Sequence, residues 1–231
     1  MILLDFNQIA LSNIFIQKLN EENMIRHMIL NSIRMYNKKY RDQYGQMVIC
    51  ADGMNTWRKD YFPLYKAHRR KHREESDQDW NEIFRILHLV RDEIKENLPY
   101  KVLHMDGVEA DDIIGSLVMH TQEFGNDEPI MIVSSDKDFI QLQKFNNVKQ
   151  YSPIQKKMVT DENPRTYAFN HIMRGDGGDG IPNVLSADDT FVTDKKQTPL
   201  RQVKINEWLE NSDNLKEVMD ENTFRNYQRN K

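Results

Sequence analysis

The chain has 231 residues, of which 39% are apolar and 29% are charged, so it can form a buried core in one large domain or in a domain with a subdomain. No apolar run approaches the roughly 20 residues that span a bilayer, and the opening MILLDF lacks the basic leader of a secretory signal. The single cysteine, Cys50, excludes an internal disulfide and fits a reducing, cytoplasmic setting.

Short apolar runs alternate with helical patterns through the first two thirds of the chain. Five runs predict buried strands: ILL (2–4), MVICA (47–51), KVLHM (101–105), PIMIVS (129–134) and, more weakly, VKQYS (148–152). Apolar residues at helical spacing predict helices over 23–43, over 76–98 and from Ala110 onwards. Strands that alternate with helices predict an α/β fold with a mostly parallel central sheet flanked by helices.

The pattern changes after about residue 153. Four features are predicted there: a glycine-rich turn GDGGDGIPN (175–183), a polar flexible loop (186–199) and two helices (200–211 and 213–228). We therefore predict two parts, an α/β core over 1–153 that includes the basic segment 57–73, and a helical subdomain over 154–231.

Carboxylates follow each of the four stronger predicted strands. In chain order they are Asp5, Asp52, the group Glu109, Asp111 and Asp112, and the pair Asp136 and Asp138. Because ligands bind outside the carboxyl ends of parallel strands, we expect these seven acids to meet at one edge of the sheet. Asp176 and Asp179 in the glycine-rich turn would add two more. Taken singly, such acids are more often caps, and Asp106 and Glu109 have the spacing of a helix N-cap with its partner.

So many carboxylates in one place repel one another and need cations to neutralise them. Ligands that are all oxygen favour Mg²⁺ or Mn²⁺ over zinc, and two such ions about 3.5–4 Å apart can act in phosphodiester displacement. The net charge of the whole chain is −4. Without the nine acids, 27 acids remain against 32 Lys and Arg, a net charge of +5, which suits a polyanionic substrate. The basic segment 57–73 alone holds seven Lys or Arg and one acid.

The order of these acids resembles the 5′-nuclease (flap endonuclease) family, and within it the branch of T-even-type bacteriophages. The resemblance rests on Asp5, Asp52, the motif Glu109-Ala-Asp111-Asp112, Ser-Asp136-x-Asp138 and Gly-Asp176-x-x-Asp179. It implies a PIN-like or resolvase-like core and two Mg²⁺ ions, for which Mn²⁺ can substitute. In the family a first, tighter site uses carboxylates that match Asp5, Asp52, Asp111 or Asp112, and Asp136. A second site uses those that match Asp138, Asp176 and Asp179, and Glu109 matches a residue that acts largely through metal-bound water.

The basic segment resembles the helical arch of the family, a gateway for a single strand. Lys66 and Arg69 match residues that contact the scissile phosphate, where a cation stabilises developing charge. Further nucleic-acid contacts are expected from the rest of the segment: Arg58, Lys59, Tyr65, Arg70, Lys71 and Arg73. The ring of Tyr65 could stack on a base, with ordinary helix packing as the alternative.

The glycine-rich turn resembles the helix–hairpin–helix element of the family, in which backbone N–H groups and a monovalent cation hold duplex phosphate. Gly178 and Gly180 would allow close approach of the backbone. Two departures, Gly180 where Asn is usual and Asn183 where Gly is usual, favour Asp176 and Asp179 as ligands over the turn as a duplex clamp. The chain ends at NYQRNK, where phage relatives continue, which indicates either a truncated sequence or a version without that tail.

The resemblance implies a monomeric, Mg²⁺-dependent 5′→3′ exonuclease and flap endonuclease that removes RNA primers and 5′ flaps from lagging-strand DNA, in the host cytoplasm if a phage encodes it. Expected partners are branched or nicked DNA, RNA–DNA duplex with a 5′ end, and a single-strand-binding protein or sliding clamp, without a membrane. The alternatives are a PIN-type ribonuclease, a DNA-binding module with a degenerate site and a scaffold stabilised by Ca²⁺ or Mg²⁺.

Overall fold

A computed structural model describes residues 1–19, 21–123, 127–193 and 195–231. Their contacts divide the chain into two compact units. The first unit comprises Met1–Thr56 and Asp79–Pro164, and the second comprises Trp57–Gln78 and Arg165–Lys231. By its contacts the basic segment belongs to the second unit, whereas the sequence boundary at residue 153 places it with the α/β core. The predicted boundary at residue 153 refers to domains that fold independently, whereas the two units are defined by contacts alone. The boundary at residue 153 therefore stays a prediction.

The first unit contains a six-stranded sheet in the order β3-β2-β1-β4-β5-β6. The strands are β1 (Ile2–Asp5), β2 (Met47–Ala51), β3 (Lys101–His104), β4 (Ile130–Val133), β5 (Val148–Ser152) and β6 (Lys157–Val159). The first five strands pair in parallel, and β6 pairs with β5 in the antiparallel direction. The five predicted strands and the mostly parallel fold class are confirmed. The sequence analysis missed β6, because three residues in a local hairpin carry too short a pattern.

The register brings the carboxyl ends of the strands to one edge. Asp5 of β1 lies opposite Cys50 of β2, and Leu4 lies opposite Val133 of β4. Ala51 at the end of β2 lies opposite His104 at the end of β3. Residues that directly follow β1, β2 and β4 therefore emerge side by side, as the sequence predicts.

Helices cover both faces of the sheet. They are α1 (Phe6–Gln17), α2 (Glu22–Tyr44), α5 (Trp80–Asn97) and α6 (Ala110–Glu123). Because side chains alternate along a strand, Ile2 and Leu4 pack in one core cluster with residues of α1, α2 and α5, whereas Leu3 packs in another with Ile113 and Ile114 of α6. This is an α/β/α layering around β1.

The predicted helices of the first unit are confirmed, with one changed boundary and one addition. The helix predicted over 76–98 begins at Trp80, because the Asp79 carboxylate caps it by accepting from the Glu82 N–H (3.0 Å). The added helix is α1, which buries Phe6, Ile9, Ala10 and Ile14. Its sequence is apolar on most sides, so it carries little of the periodicity that identifies an amphipathic helix.

The second unit is helical and has its own small core. Its helices are α3 (Arg58–Tyr61), α4 (His68–Glu74), α7 (Pro164–Arg174, whose first residue belongs to the first unit), α8 (Gln202–Glu210), α9 (Leu215–Val218) and α10 (Glu221–Asn230). Met173, Ile205 and Trp208 are fully or almost fully buried there. The single helix predicted over 213–228 is wrong. The chain turns at Met219 and starts again at α10, where Asp220 accepts from the Thr223 N–H (2.9 Å).

The predicted loop over 186–199 contains no helix or strand in its described residues, 186–193 and 195–199. Its two ends are fastened together, since the Thr198 N–H donates to Ser186 Oγ (2.9 Å) and Asn183 Nδ2 donates to the Thr198 carbonyl (2.8 Å). Among the helices that the structure describes, none is both long and apolar enough to cross a membrane.

Candidate active site

Asp5 is the buried centre of the acidic edge of the first unit. It ends β1 and caps α1, so its Oδ1 accepts from the Gln8 N–H (3.2 Å) while its Oδ2 accepts from Ser134 Oγ (2.8 Å). Burial, followed by the nearby charges of Asp52 and Asp136, raises the pKa of Asp5 from 3.8 to about 7. The predicted carboxylates at the ends of β2 and β4 therefore lie close enough to repel the one at the end of β1.

Asp52 links the end of β2 to the start of α6. Its Oδ1 accepts from the N–H of Ala110, the first residue of α6 (2.8 Å), where the helix dipole favours a negative charge. Its own N–H donates to Asn7 Oδ1 (3.3 Å). Asp52 is therefore held through its carboxylate by α6 and through its backbone by Asn7 of α1.

Gly53 allows this arrangement through close backbone packing. Its N–H donates to the Val108 carbonyl (2.8 Å), and a Cβ at this position would lie 1.8 Å from the Met105 carbonyl oxygen. We expect Gly53→Ala to lower the free energy of unfolding by about 1–3 kcal/mol, the cost of overpacking. Urea denaturation measures it. Gly115→Ala is the matched control, because that Cβ would meet no atom within 4 Å and alanine suits helix α6. Equal stability of the two variants would contradict the prediction.

One acid of the EADD motif, Asp112, has a structural role in the first turn of α6. Asp112 Oδ2 accepts from the Glu109 N–H (3.1 Å), which is the return half of a capping box. The predicted cap by Asp106 is wrong, because the helix begins at Ala110, four residues later. Asp111 lies towards β2, since burial and then the charges of Asp5 and Asp111 raise the pKa of the Cys50 thiol.

Glu109 is buried with 8% of its surface exposed, and the adjacent Ile113 and Ile114 lie in the core. These two apolar residues fix the first turn of α6 against the sheet. The structure confirms the helix that apolar residues at helical spacing predict from Ala110 onwards.

The two aspartates of the SDxD motif, Asp136 and Asp138, belong to one hydrogen-bonded turn. Asp136 Oδ1 accepts from the Asp138 N–H (2.9 Å), and the Asp136 N–H donates to Ser134 Oγ (3.1 Å). Asp138 then begins a short 3₁₀ helix, Asp138–Lys144. The Ser134 hydroxyl thus joins two of the predicted acids, Asp5 and Asp136.

Two supporting residues escaped the sequence analysis. Ser134 is one, and the other is Gln150, which is fully buried in β5 and donates to the carbonyls of Ser134 (3.1 Å) and Asp136 (2.5 Å). The sequence did contain a sign of this role, because Gln150 occupies an inward position of a predicted buried strand. A buried polar side chain needs hydrogen-bond partners.

Asp5, Asp52 and Asp136 fit a hard divalent cation. The donors are all oxygen, as Mg²⁺ and Mn²⁺ prefer. The pKa of Asp5 is raised first by burial and then by the negative charges of Asp52 and Asp136, and a bound cation would offset those charges. Each oxygen of Asp5 accepts one hydrogen bond from the residues named above and has a second lone pair.

The glycine-rich turn in the second unit is organised by Asp176. Its Oδ1 accepts from the N–H groups of Gly178 (2.7 Å) and Asp179 (3.1 Å). His171 Nε2 lies 3.6 Å from the other carboxylate oxygen. No histidine is among the site residues predicted from the sequence, so this neighbour of a predicted ligand was missed.

Asp179 is held by the basic segment. Its Oδ1 accepts from Arg69 Nη2 (2.5 Å), its Oδ2 accepts from the Tyr65 hydroxyl (2.8 Å), and Lys66 Nζ lies 3.7 Å from Oδ2. Only 3% of Tyr65 is exposed. Tyr65 thus matches the packing alternative and not base stacking, because its ring lies inside the second unit and its hydroxyl is engaged.

The other predicted nucleic-acid contacts differ in exposure. Lys59, Arg70, Lys71, Arg73 and Gly178 are exposed, and Arg58 is partly exposed. Gly180 is buried, and a Cβ there would lie 2.7 Å from His68 Nδ1. The predicted approach of phosphate to Gly180 therefore conflicts with the position of His68.

Comparisons with known proteins agree with this fold. Residues 1–169 match the family described as "5′-3′ exonuclease, N-terminal resolvase-like domain". The chain is 37% identical to ribonuclease H of Enterobacteria phage T4, over 99% of this chain and 78% of the relative. It is 30% identical to a 5′-3′ exonuclease of Buchnera aphidicola, over 71% of this chain and 57% of the relative.

Solved structures show the same fold at lower identity. The T5 5′-exonuclease with bound zinc ions aligns with a TM-score of 0.69 and 16% identity, over 98% of this chain and 87% of the other. The bacteriophage T5 flap endonuclease in complex with DNA and metal ions aligns with a TM-score of 0.68 and 17% identity, over 98% and 86%. With strand-end acids on a resolvase-like sheet and a family match over residues 1–169, the chain belongs to the 5′-3′ exonuclease family of nucleases.

Proposed function

We propose that this protein is a Mg²⁺-dependent 5′→3′ exonuclease and flap endonuclease that removes RNA primers and 5′ flaps during lagging-strand DNA synthesis. The main support for this proposal is that Asp5, Asp52 and Asp136 lie together at one edge of the sheet. Burial and the negative charges of Asp52 and Asp136 raise the pKa of Asp5 there to about 7. The name of the phage T4 relative, ribonuclease H, supports an RNA–DNA substrate. The T5 structure with DNA and metal ions supports nucleic acid as a ligand, and the T5 structure with bound zinc supports divalent ions.

The carboxylates of the first unit are proposed to hold divalent cations. Asp5, Asp52 and Asp136 are the proposed direct ligands, and Glu109, Asp111 and Asp112 bind directly or through water. By family resemblance, Asp138 and Asp176 are each proposed as ligands of a divalent ion. Divalent ions in such a site lower the pKa of water and offset charge on a phosphodiester.

The cations of the second unit are proposed to act on the nucleic acid. Lys66 and Arg69 neutralise charge on the phosphate that is cleaved. The exposed side chains Lys59, Arg70, Lys71 and Arg73 attract the remaining backbone without reading its sequence.

A panel of three substrates tests the proposal. The protein is incubated with a 5′-flap DNA duplex, an RNA–DNA hybrid and single-stranded RNA, each with Mg²⁺ and with EDTA. We expect short products from the 5′ end of the first two substrates, only with the metal. Cleavage of single-stranded RNA alone would favour a PIN-type ribonuclease. Binding without cleavage under every metal condition would favour a degenerate DNA-binding module.

Lys66 should act on the rate more than on binding. We expect Lys66→Ala to slow single-turnover cleavage by about 10²-fold, the typical effect of removing one donor to a developing charge. DNA affinity should change far less, because other exposed cations remain. The matched control is Lys216→Ala, an exposed lysine of α9 in the same unit. A loss of affinity as large as the loss of rate would show that Lys66 only positions DNA.

A further inference from the structure

We propose that Asp179 is a positioning residue that fixes Lys66 and Arg69 on the glycine-rich turn, and that it is not a metal ligand in this chain. The proposal rests on the proposed function for the role of the two cations. It departs from the family resemblance, which assigns the matching carboxylate to a metal ion. All of the residues concerned lie in the second unit.

The Asp179 carboxylate is already engaged on both oxygens. Arg69 donates to Oδ1 at 2.5 Å, Tyr65 donates to Oδ2 at 2.8 Å, and the Lys66 ammonium lies 3.7 Å away. About four fifths of the Asp179 side chain is shielded from solvent, so these contacts are screened less than at an open surface. A divalent cation on this carboxylate would be repelled by two adjacent positive charges.

Backbone contacts tie the same residues together. The Lys66 N–H donates to the Asp179 carbonyl (2.8 Å), and Arg69 Nε donates to the Gly178 carbonyl (2.8 Å). Gly180 has φ +73° and carries no Cβ where His68 approaches. Lys66 itself has φ +56°, a conformation that costs free energy for a residue with a side chain. Several contacts thus hold Lys66 in an unfavourable conformation, which is expected where a side chain must point in one direction.

The turn offers acceptors and few donors. Five of its N–H groups donate within the turn: Asp176 to the Ile181 carbonyl, Gly178 and Asp179 to Asp176 Oδ1, Gly180 to the Gly177 carbonyl, and Ile181 to the Asp176 carbonyl. A phosphate oxygen needs donors, whereas an arginine needs acceptors. The surface made by the Gly178 and Asp179 carbonyls and the Asp179 carboxylate therefore fits the basic segment.

Hydrogen exchange tests the contact without any assay of cleavage. In EDTA we expect the amides of Lys66 and Arg69 to exchange about tenfold faster in Asp179→Asn than in the wild type, the factor expected from loss of a charge-assisted hydrogen bond. Asp189→Asn is the control, because it removes an equal charge from the same unit, where Asp189 pairs with Lys195. Equal protection in Asp179→Asn and the wild type would overturn the proposal.

Metal counting separates the two roles of Asp179. We expect Asp179→Asn to bind as many Mn²⁺ ions as the wild type, with unchanged affinity, by electron paramagnetic resonance and calorimetry. Loss of one ion would overturn the proposal. Should Asp179→Asn fail to fold, Tyr65→Phe replaces it, because it removes one donor to Asp179 and keeps the ring. It too should loosen Lys66 and Arg69 and leave Mn²⁺ binding unchanged.

A mutant cycle links the contact to the reaction. If Asp179 acts through Lys66 and Arg69, Asp179→Asn does not slow single-turnover cleavage further in a variant that already carries Lys66→Ala and Arg69→Gln. Multiplying losses would overturn the proposal. If the wild type cleaves none of the three substrates, the proposed function fails, and the exchange and Mn²⁺ measurements still decide the role of Asp179.

Discussion

Asp136→Asn is expected to lower cleavage of a 5′-flap duplex by about 10³-fold or more, because it removes a charged ligand from the proposed metal centre. The fold should persist, since the amide Oδ1 can still accept from the Asp138 N–H, and the Ser134 and Gln150 contacts involve the backbone of residue 136. DNA binding should also persist, because the exposed cations of the second unit are unchanged. Single-turnover rates, fluorescence anisotropy and thermal denaturation measure the three quantities.

The control for this variant is Asp42→Asn, which removes one exposed carboxylate from α2 of the same unit. It should cleave as the wild type does. Cleavage by Asp136→Asn at a rate near that of the wild type would show that the acidic edge is not the catalytic centre. A parallel loss of melting temperature would assign the effect to folding instead.

Asp5→Asn should remove activity and yet stabilise the metal-free protein at about pH 8. Ionising Asp5 in the folded state is unfavourable, because its pKa is about 7 instead of 3.8, a difference that corresponds to roughly 4 kcal/mol. Asparagine carries no charge and can keep the hydrogen bond from the Gln8 N–H. We expect the free energy of unfolding of the variant in EDTA to exceed that of the wild type.

The pH dependence follows from the direction of this pKa shift. As pH rises from about 4 to about 7, the unfolded chain loses the Asp5 proton before the folded chain does, so this group makes the wild type progressively less stable. The difference between Asp5→Asn and the wild type should therefore grow across that window. Mg²⁺ should raise the melting temperature of the wild type more than that of the variant, because the variant keeps Asp138 and Asp176. A variant that is less stable than the wild type at about pH 8 in EDTA would refute this account.

The sheet and its acids were predictable because both depend on local patterns. Buried parallel strands are short apolar runs, and parallel strands end at one edge, so Asp5, Asp52 and Asp136 followed from their positions after the runs. The structure has two helices where the sequence predicted one over 213–228. The second helix begins at the cap Asp220, and the spacing of apolar residues does not reveal a cap.

The contacts of Asp179 were not predictable from any local pattern. They join residues 65–69 to residues 178–180, more than a hundred positions apart, and no period in either segment encodes that approach. The same holds for Gln150, which donates to carbonyls of Ser134 and Asp136 in the turn that follows β4. Sequence reasoning located the charged residues, and the tertiary structure determined which charges face one another.

The place of β1 in the sheet has a consequence for biosynthesis. The neighbours of Asp5 at the acidic edge are Asp52 after β2 and Ser134 and Asp136 after β4. The strand itself pairs with β2 and, through Ile2–Leu4, with Met131–Val133 of β4. During translation, one edge of β1 therefore has no partner until β4 has left the ribosome. An unpaired strand edge can associate with other chains, and such distant pairings form slowly. A nascent chain that stalls before β4 would be prone to aggregate and would lack a complete acidic edge. On the proposed function, we therefore expect no cleavage of nucleic acid until β4 has emerged.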